Sequence, residues 1–472
     1  MSGGSAWTGA AVAAVTAGYA LFSRRLASTP VSAPMVFTGF GVLIGPIGLD
    51  VLDLGHDVGP VLTLVEAALA LLLFTDSMTV RRRDLRTGGF LPLRLLAIGL
   101  PLSIGAGWLL AWPLFPGLTL WEFALLGAVL APTDAALGKT ASSSPRVPAL
   151  VRHGLNVESG LNDGLALPFF LMFLAAIPGT IASEEGVHGV FWRALVVSTA
   201  VGLAFGWVGG WLSTLSRSRG WVTGEWQQVV VLAVAFCAYS VATALDGSGF
   251  IATWMGGFAF GVALRQGEPA GEESAGVEPA GVEPAGEESA GEEPAGVEPA
   301  GEESAGEEPA KERRPADLAE YVGGLLGTLS FLVFGAVLLG PALEHLNWRI
   351  ITYAVLSLTV VRMLPVALAL AGTGMRLPTV AYVGWFGPRG LASVVFGLLV
   401  VEDHVPGIEL LGQVIAVTIG LSILLHGMSA PYFADRYGNW YDAAQAAAPD
   451  LHEAQDASEG FGRQHGGSRR LR

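Results

Sequence analysis

The sequence contains a single cysteine, Cys237, in 472 residues, so neither a disulfide framework nor a thiolate metal cluster is available to it. Charge is scarce as well. Only 14% of residues are charged, 52% are hydrophobic and the mean hydropathy is +0.53, which excludes an ordinary soluble domain. No basic segment precedes the first apolar run. Arg24 and Arg25 follow it, so it reads as a retained helix and not as a cleaved leader. The acidic balance is also not general. Net charge is −15, and residues 267–310 hold 14 Glu with no Lys or Arg, which accounts for all but one unit of it. The acidity is local and implies no substrate, and no nucleic-acid partner is expected.

What the chain has in abundance is long apolar runs. At about 20 apolar residues per crossing, spans are predicted near 7–22, 31–52, 60–78, 90–112, 120–138, 154–177, 189–213, 225–245, 249–264, 318–340, 346–371, 378–401 and 408–432, thirteen in all. The fold class is therefore an all-α polytopic membrane protein. It divides into spans one to nine over 1–266, an acidic loop over 267–315, spans ten to thirteen over 316–436, and a tail over 437–472. Basic residues gather in alternate connections, at Arg24-Arg25, Arg81 to Arg86, Lys139 to Arg152, Arg217 with Arg219, Arg265 with Lys311 to Arg314, Arg376, and from Arg436 onward. The positive-inside rule then puts the N-terminus outside and the C-terminus and acidic loop in the cytoplasm of a cell-membrane protein, which an odd number of spans requires.

The acidic loop is a repeat in which residues 281–295 recur unchanged at 296–310. Gly and Pro every few residues with unpaired Glu cannot bury an apolar face, so this segment is expected to stay disordered. Thirteen tryptophans mostly flank the spans, as at Trp112, Trp192 and Trp348, and read as interface anchors.

Against this apolar background one polar nonapeptide stands out, Asn156-Val157-Glu158-Ser159-Gly160-Leu161-Asn162-Asp163-Gly164, running into the sixth span. At about 100° per residue, Glu158 stacks with Asn162 and Ser159 with Asp163, forming one polar arc. Ionisable groups at membrane depth cost at least a few kcal/mol each and normally line a bundle interior or an ion path. Two other spans are interrupted, the fifth at Ala131-Pro132-Thr133-Asp134 and the twelfth at Gly384 to Gly390, each with one charge beside a proline. They lie seven spans apart, an odd shift that reverses direction, so they predict two inverted repeats whose discontinuous helices cross near the midplane. Asp134 is placed to neutralise helix N-termini there, and Arg389 C-termini.

Arg362 in the eleventh span needs a buried partner, and Glu158 is the preferred one. That pairing leaves Asp163 as the carboxylate free to exchange a proton. Ser159 supplies a hydroxyl oxygen one turn earlier. Unwound backbone near Thr133 supplies carbonyls, and Glu66 in the third span could act through water. Together these are hard ligands for a small cation.

These residues resemble the cation:proton antiporters of the NhaP type, relatives of the sodium/proton exchangers. Pro132-Thr133-Asp134, Asn156 to Gly164, Gly387-Pro388-Arg389-Gly390 and Arg362 carry the resemblance. It implies a homodimer with inverted repeats, an elevator-like motion, and exchange of sodium or lithium for protons, without cofactor or ATP and without enzymatic chemistry. It further implies Asp163 and Ser159 as ion ligands, Thr133 as a backbone ligand, Asn162 as the residue steadying the crossover, and Glu158 with Arg362 as an intramembrane pair. The Asn162-Asp163 pair implies electroneutral exchange and a role in pH homeostasis. Many members carry Pro after Thr-Asp, where this chain has Ala135. A potassium/proton exchanger is the close alternative. An intramembrane hydrolase fares worse, because Ser159 has no histidine within a turn on its face. A passive channel has no need of a titratable group at crossed helices.

Overall fold

The computed structural model describes residues 3–27, 29–50, 59–80, 90–134, 137, 144–184, 186–266, 315–403, 405–448 and 451–454. The acidic loop up to residue 314, the basic segments at 81–86 and 139–143, Ala135, and the tail beyond residue 454 lie outside the described residues.

Every regular element among the described residues is helical. In chain order these are α1 (Gly3–Ala27), α2 (Ala33–Ile44), α3 (Gly59–Thr79), α4 (Phe90–Leu114), α5 (Leu120–Val129), α6 (Ala149–Ala176), α7 (Val187–Ser218), α8 (Gly224–Ala244) and α9 (Gly249–Gln266). After the acidic loop come α10 (Asp317–Glu344), α11 (Trp348–Ala369), α12 (Leu377–Trp385), α13 (Leu391–Glu402) and α14 (Ile408–Ala447). Among the described residues eight helices are long and apolar enough to cross a membrane, namely α3, α4, α6, α7, α8, α10, α11 and α14. The thirteen spans expected from sequence exceed that number. Part of the difference is physical: the twelfth expected span is two half-helices, α12 and α13, and α2 and α5 are also too short to cross alone.

Three helices carry a backbone irregularity that begins six residues before a proline. A π turn at Leu95–Gly99 precedes Pro101 in α4, and one at Gly335–Leu339 precedes Pro341 in α10. In α11 the helix breaks at Thr359 before Pro365. Proline lacks the donor for the normal bond and its ring collides with the preceding turn, so the helix widens or breaks upstream. Helix starts have local causes too. Thr119 and Glu122 form a capping box on α5, and the second Glu122 oxygen accepts the Gly407 N–H at 2.8 Å, tying α5 to the start of α14.

Contacts between connections fall into two groups. Arg94 reaches the Ala371 carbonyl at 2.9 Å, Arg146 reaches Asp435 at 3.3 Å, Arg265 holds the Met78 and Val80 carbonyls, and Arg376 N–H meets Glu453. On the other side Asp403 accepts from Ala182 N–H and Arg193 pairs with Asp246 at 3.5 Å. The first group joins only basic connections and the second only the others, so α5 and α12 enter the bundle from opposite ends.

Candidate functional site

The site forms where the two interrupted elements meet. The Asp134 N–H donates to the Pro388 carbonyl at 2.8 Å, joining the unwound backbone after α5 to that between α12 and α13. Asp134 accepts the Leu391 N–H at 2.8 Å through Oδ2 and the Leu137 N–H at 3.1 Å through Oδ1. Its carboxylate thus covers donors that have no helical partner, including the first of α13. Arg389 does the converse. It is fully buried, at 0% exposure, and its guanidinium donates to the carbonyls of Ala131 and Pro132 just beyond α5. Ser393 Oγ donates to the Val129 carbonyl at 2.7 Å, and the Arg389 N–H donates to Ser422 Oγ at 2.7 Å. The unwound backbone is satisfied from both sides, which membrane depth demands. The fit leaves no room for a side chain at the flanking glycines: a Cβ on Gly390 would lie 1.8 Å from Asp134 Oδ2, and one on Gly387 2.3 Å from Arg362 Nε.

Beside the crossing runs α6, whose polar arc faces it. Arg362 of α11 donates to Glu158 at 2.9 and 3.0 Å through both terminal nitrogens, and both side chains are 3% exposed. Thr133 Oγ1 donates to Glu158 Oε1 at 3.4 Å, lies 3.4 Å from Ser159 Oγ, and accepts a short bond from the Asn162 amide. The four polar residues of the nonapeptide arc are therefore not alike. Glu158 and Asn162 are buried and engaged.

Asn162 and Asp163 each keep one buried side-chain oxygen with no hydrogen-bond partner among the described residues, and of the two only Asp163 is ionisable. It stands fourteen residues into α6 and thirteen from its end, about 20 Å from either terminus. Asp134, Asp76 and Glu158 all lie within electrostatic reach of it. Asp134 is balanced by helix N-termini and Glu158 by Arg362, whereas Asp163 and Asp76 form no ion pair with a cation among the described residues. No group of three or more His, Cys, Asp or Glu side chains gathers as a metal cage among the described residues. Oxygen ligands here would come from one or two carboxylates, hydroxyls and backbone.

Asp76 was not among the residues expected from sequence. It lies near the end of α3, three residues before Thr79, and its Cβ would be 3.5 Å from a Cβ on Gly160. In sequence it stands two residues from the end of the span predicted near 60–78, where nothing sets it apart from an ordinary polar helix end. Glu66 sits on the same helix ten residues earlier, about 15 Å from Asp76, beside Tyr239 of α8 and near Glu402, and it is not among the charges that act on Asp163. Ser393, Ser422 and His426, whose Nδ1 lies 3.0 Å from Ser422 Oγ, were also missed, since hydroxyls in apolar helices carry no distinctive pattern.

A family model described as "Sodium/hydrogen exchanger, transmembrane" matches residues 11–281 and 303–435. A K(+)/H(+) antiporter, NhaP, of Alkalimonas amylolytica is 28% identical over 247 residues, 50% of this chain and 41% of that protein. A Na(+)/H(+) antiporter of Saccharomyces cerevisiae is 31% identical over 148 residues, 29% of this chain and 15% of its own length. The chain thus spans less than half the length of these curated relatives. The solved sodium proton antiporter MjNhaP1 of Methanocaldococcus jannaschii superposes with a TM-score of 0.66 at 17% identity, covering 92% of this chain and 98% of that one.

Proposed function

Because the chain belongs to the transmembrane sodium/hydrogen exchanger family, we propose that it is an antiporter exchanging sodium or lithium for protons at Asp163. The observation that carries this reading is the buried, unpartnered Asp163 oxygen midway along α6, beside a crossing whose other charges are compensated. An ionised carboxylate in that position is stabilised by a bound cation or neutralised by a proton. One group that accepts either, but not both, couples their movements. Ser159 and the Thr133 backbone are proposed as the further ligands. Asn162 steadies the crossover through Thr133, Glu158 and Arg362 brace α6 against α11, and Asp134 with Arg389 hold the unwound segments as they move. Cargo and proton are the only substrates proposed; the reading involves no cofactor and no enzymatic step.

Exchange by one carboxylate is electroneutral, which is the stoichiometry proposed. Thirteen spans with an outside N-terminus, a cytoplasmic acidic loop and a homodimer complete the reading. Exposed apolar side chains on α7 and α8, such as Trp207, Trp211 and Phe236, provide surface for lipid or a second copy.

The curated relatives named as K(+)/H(+) antiporters favour potassium as a second reading. Everted vesicles carrying a pH dye, given sodium, lithium and potassium in turn, separate the two. Asp163→Asn is expected to reduce every cation response to the level of empty vesicles. Exchange retained by that variant would remove Asp163 from the mechanism.

A further inference from the structure

A cavity of about 810 Å³ lies between α11, α12 and α14. That volume is within the range of small-molecule sites, roughly 300–1,000 Å³. Aromatic rings dominate its wall. Tyr382 stacks on Tyr437 at 4.4 Å, Trp385 meets Phe433 edge-on at 5.4 Å, and Trp440 stacks on Tyr437 at 5.5 Å. The rings hold one another in place, so the cavity is pre-formed.

Its rim is polar, with Asp435, Arg436 and Asn439. Two of these are already engaged. Arg146 binds Asp435 at 3.3 Å and Asn439 at 2.5 Å. Arg146 is shared with Asp442 at 3.9 Å, so acid and base balance around the mouth, and Arg436, exposed and in no ion pair among the described residues, is the cation left for a ligand. The level of the mouth matters as well. Residues 432–440 lie where α14 leaves the apolar stretch on the side that gathers the basic connections, and Tyr and Trp are enriched at such boundaries. Tyr432, 61% exposed, and Met428 one turn earlier, 63% exposed, continue this face toward the bilayer.

An apolar aromatic interior opening at the membrane boundary beneath one free guanidinium matches an amphiphile with an anionic head. Basic pockets between membrane helices on this side are where such head groups bind. We propose that the cavity holds one anionic phospholipid, its acyl chain against the aromatic wall and its phosphate on Arg436. The floor includes Met363, next to Arg362, and Trp385 with Phe386 immediately before Gly387. A bound lipid therefore touches the segment leading into the crossing, and its presence tunes exchange. That last step rests on the antiport reading, whereas the binding itself does not.

Native mass spectrometry of the full chain, delipidated and then given phosphatidylglycerol or phosphatidylcholine, tests the site. The expected result is retention of one phosphatidylglycerol in preference to phosphatidylcholine. Arg436→Gln should weaken it at least tenfold, Arg436→Lys should retain it, and Ala381→Trp, which fills the cavity from α12, should abolish it. Glycerol phosphate should not compete, since it lacks the acyl chain; competition would mean a site for a free phosphate and would overturn the lipid. Equal retention by wild type and both disruptive variants, or preference for a hydrophobic cation such as tetraphenylphosphonium, would also overturn it. Unchanged thermal melting of the variants keeps a loss of binding distinct from misfolding.

Discussion

Arg362 and Glu158 face each other across α11 and α6, 204 residues apart in sequence, with two donors on two acceptors at 2.9 and 3.0 Å in a site that is 3% exposed. Matched in this bidentate way, the pair engages both carboxylate oxygens and both terminal nitrogens of the guanidinium, while Arg362 Nε stays buried without a partner among the described residues. The pair fixes α6 relative to a helix that is broken three residues away at Thr359.

Removing one partner strands the other charge. Arg362→Ala is expected to cost about 3–5 kcal/mol, the range for breaking a buried ion pair from one side, and to lower the melting temperature in detergent. Replacing both residues by apolar ones of similar size should recover much of that loss. A well-folded Arg362→Ala protein with only a raised apparent cation constant would place Arg362 in ion binding and not in bracing.

The two crossover charges predict a different pattern. Asp134 accepts two backbone N–H groups, so Asp134→Asn retains an acceptor oxygen and is expected to fold with reduced stability. Gly390→Ala puts a Cβ 1.8 Å from that same carboxylate and should be the more damaging change despite its size. Arg389→Ala leaves the Ala131 and Pro132 carbonyls without their donor in a fully buried place, and should abolish expression of folded protein. Size-exclusion profiles of the three variants give the order; a well-behaved Gly390→Ala alongside an unfolded Asp134→Asn would contradict this packing.

Much of this arrangement is legible in the sequence, and the parts that are not share a reason. Glu158, Asn162 and Asp163 stand out because polar groups within an apolar run must have a use, and few intramembrane charges exist to pair with Arg362. The prolines at 132 and 388 mark the interruptions because they remove donors. Asp76 is hidden by position, since a carboxylate near a predicted span end reads as solvated until α6 is seen to pass it at Gly160. Glu66 and Asp76 lie about 15 Å apart on one helix, and sequence alone does not say which of the two acids stands beside Gly160 of α6. Ser393 and Ser422 are illegible, because a helical hydroxyl bonded to its own preceding turn looks the same in sequence.

Asp76 makes the stoichiometry testable. With Asp163 as sole carrier, exchange should neither generate a membrane potential nor respond to one imposed by a potassium gradient and valinomycin. If a clear voltage dependence is measured, a second proton is carried, and Asp76, the carboxylate beside α6 at Gly160 and within electrostatic reach of Asp163, is placed to carry it. Asp76→Asn would then restore voltage independence while Asp163→Asn abolishes transport.

Competition at one carboxylate also fixes the direction of the pH effect. Where the proton form of Asp163 predominates, each unit of falling pH should raise the apparent cation constant about tenfold, the mass-action slope for one proton. The maximal rate at saturating cation should stay nearly constant over the same range, because enough cation displaces the proton. On the alkaline side the cation constant should level off, and the rate should fall as protons for the return step become scarce. Initial rates in vesicles at equal pH on both sides, over a matrix of cation concentration and pH, check both limbs. A maximal rate that collapses at low pH with an unchanged cation constant would mean that the proton acts at a separate regulatory group, and the competition at Asp163 would have to be given up.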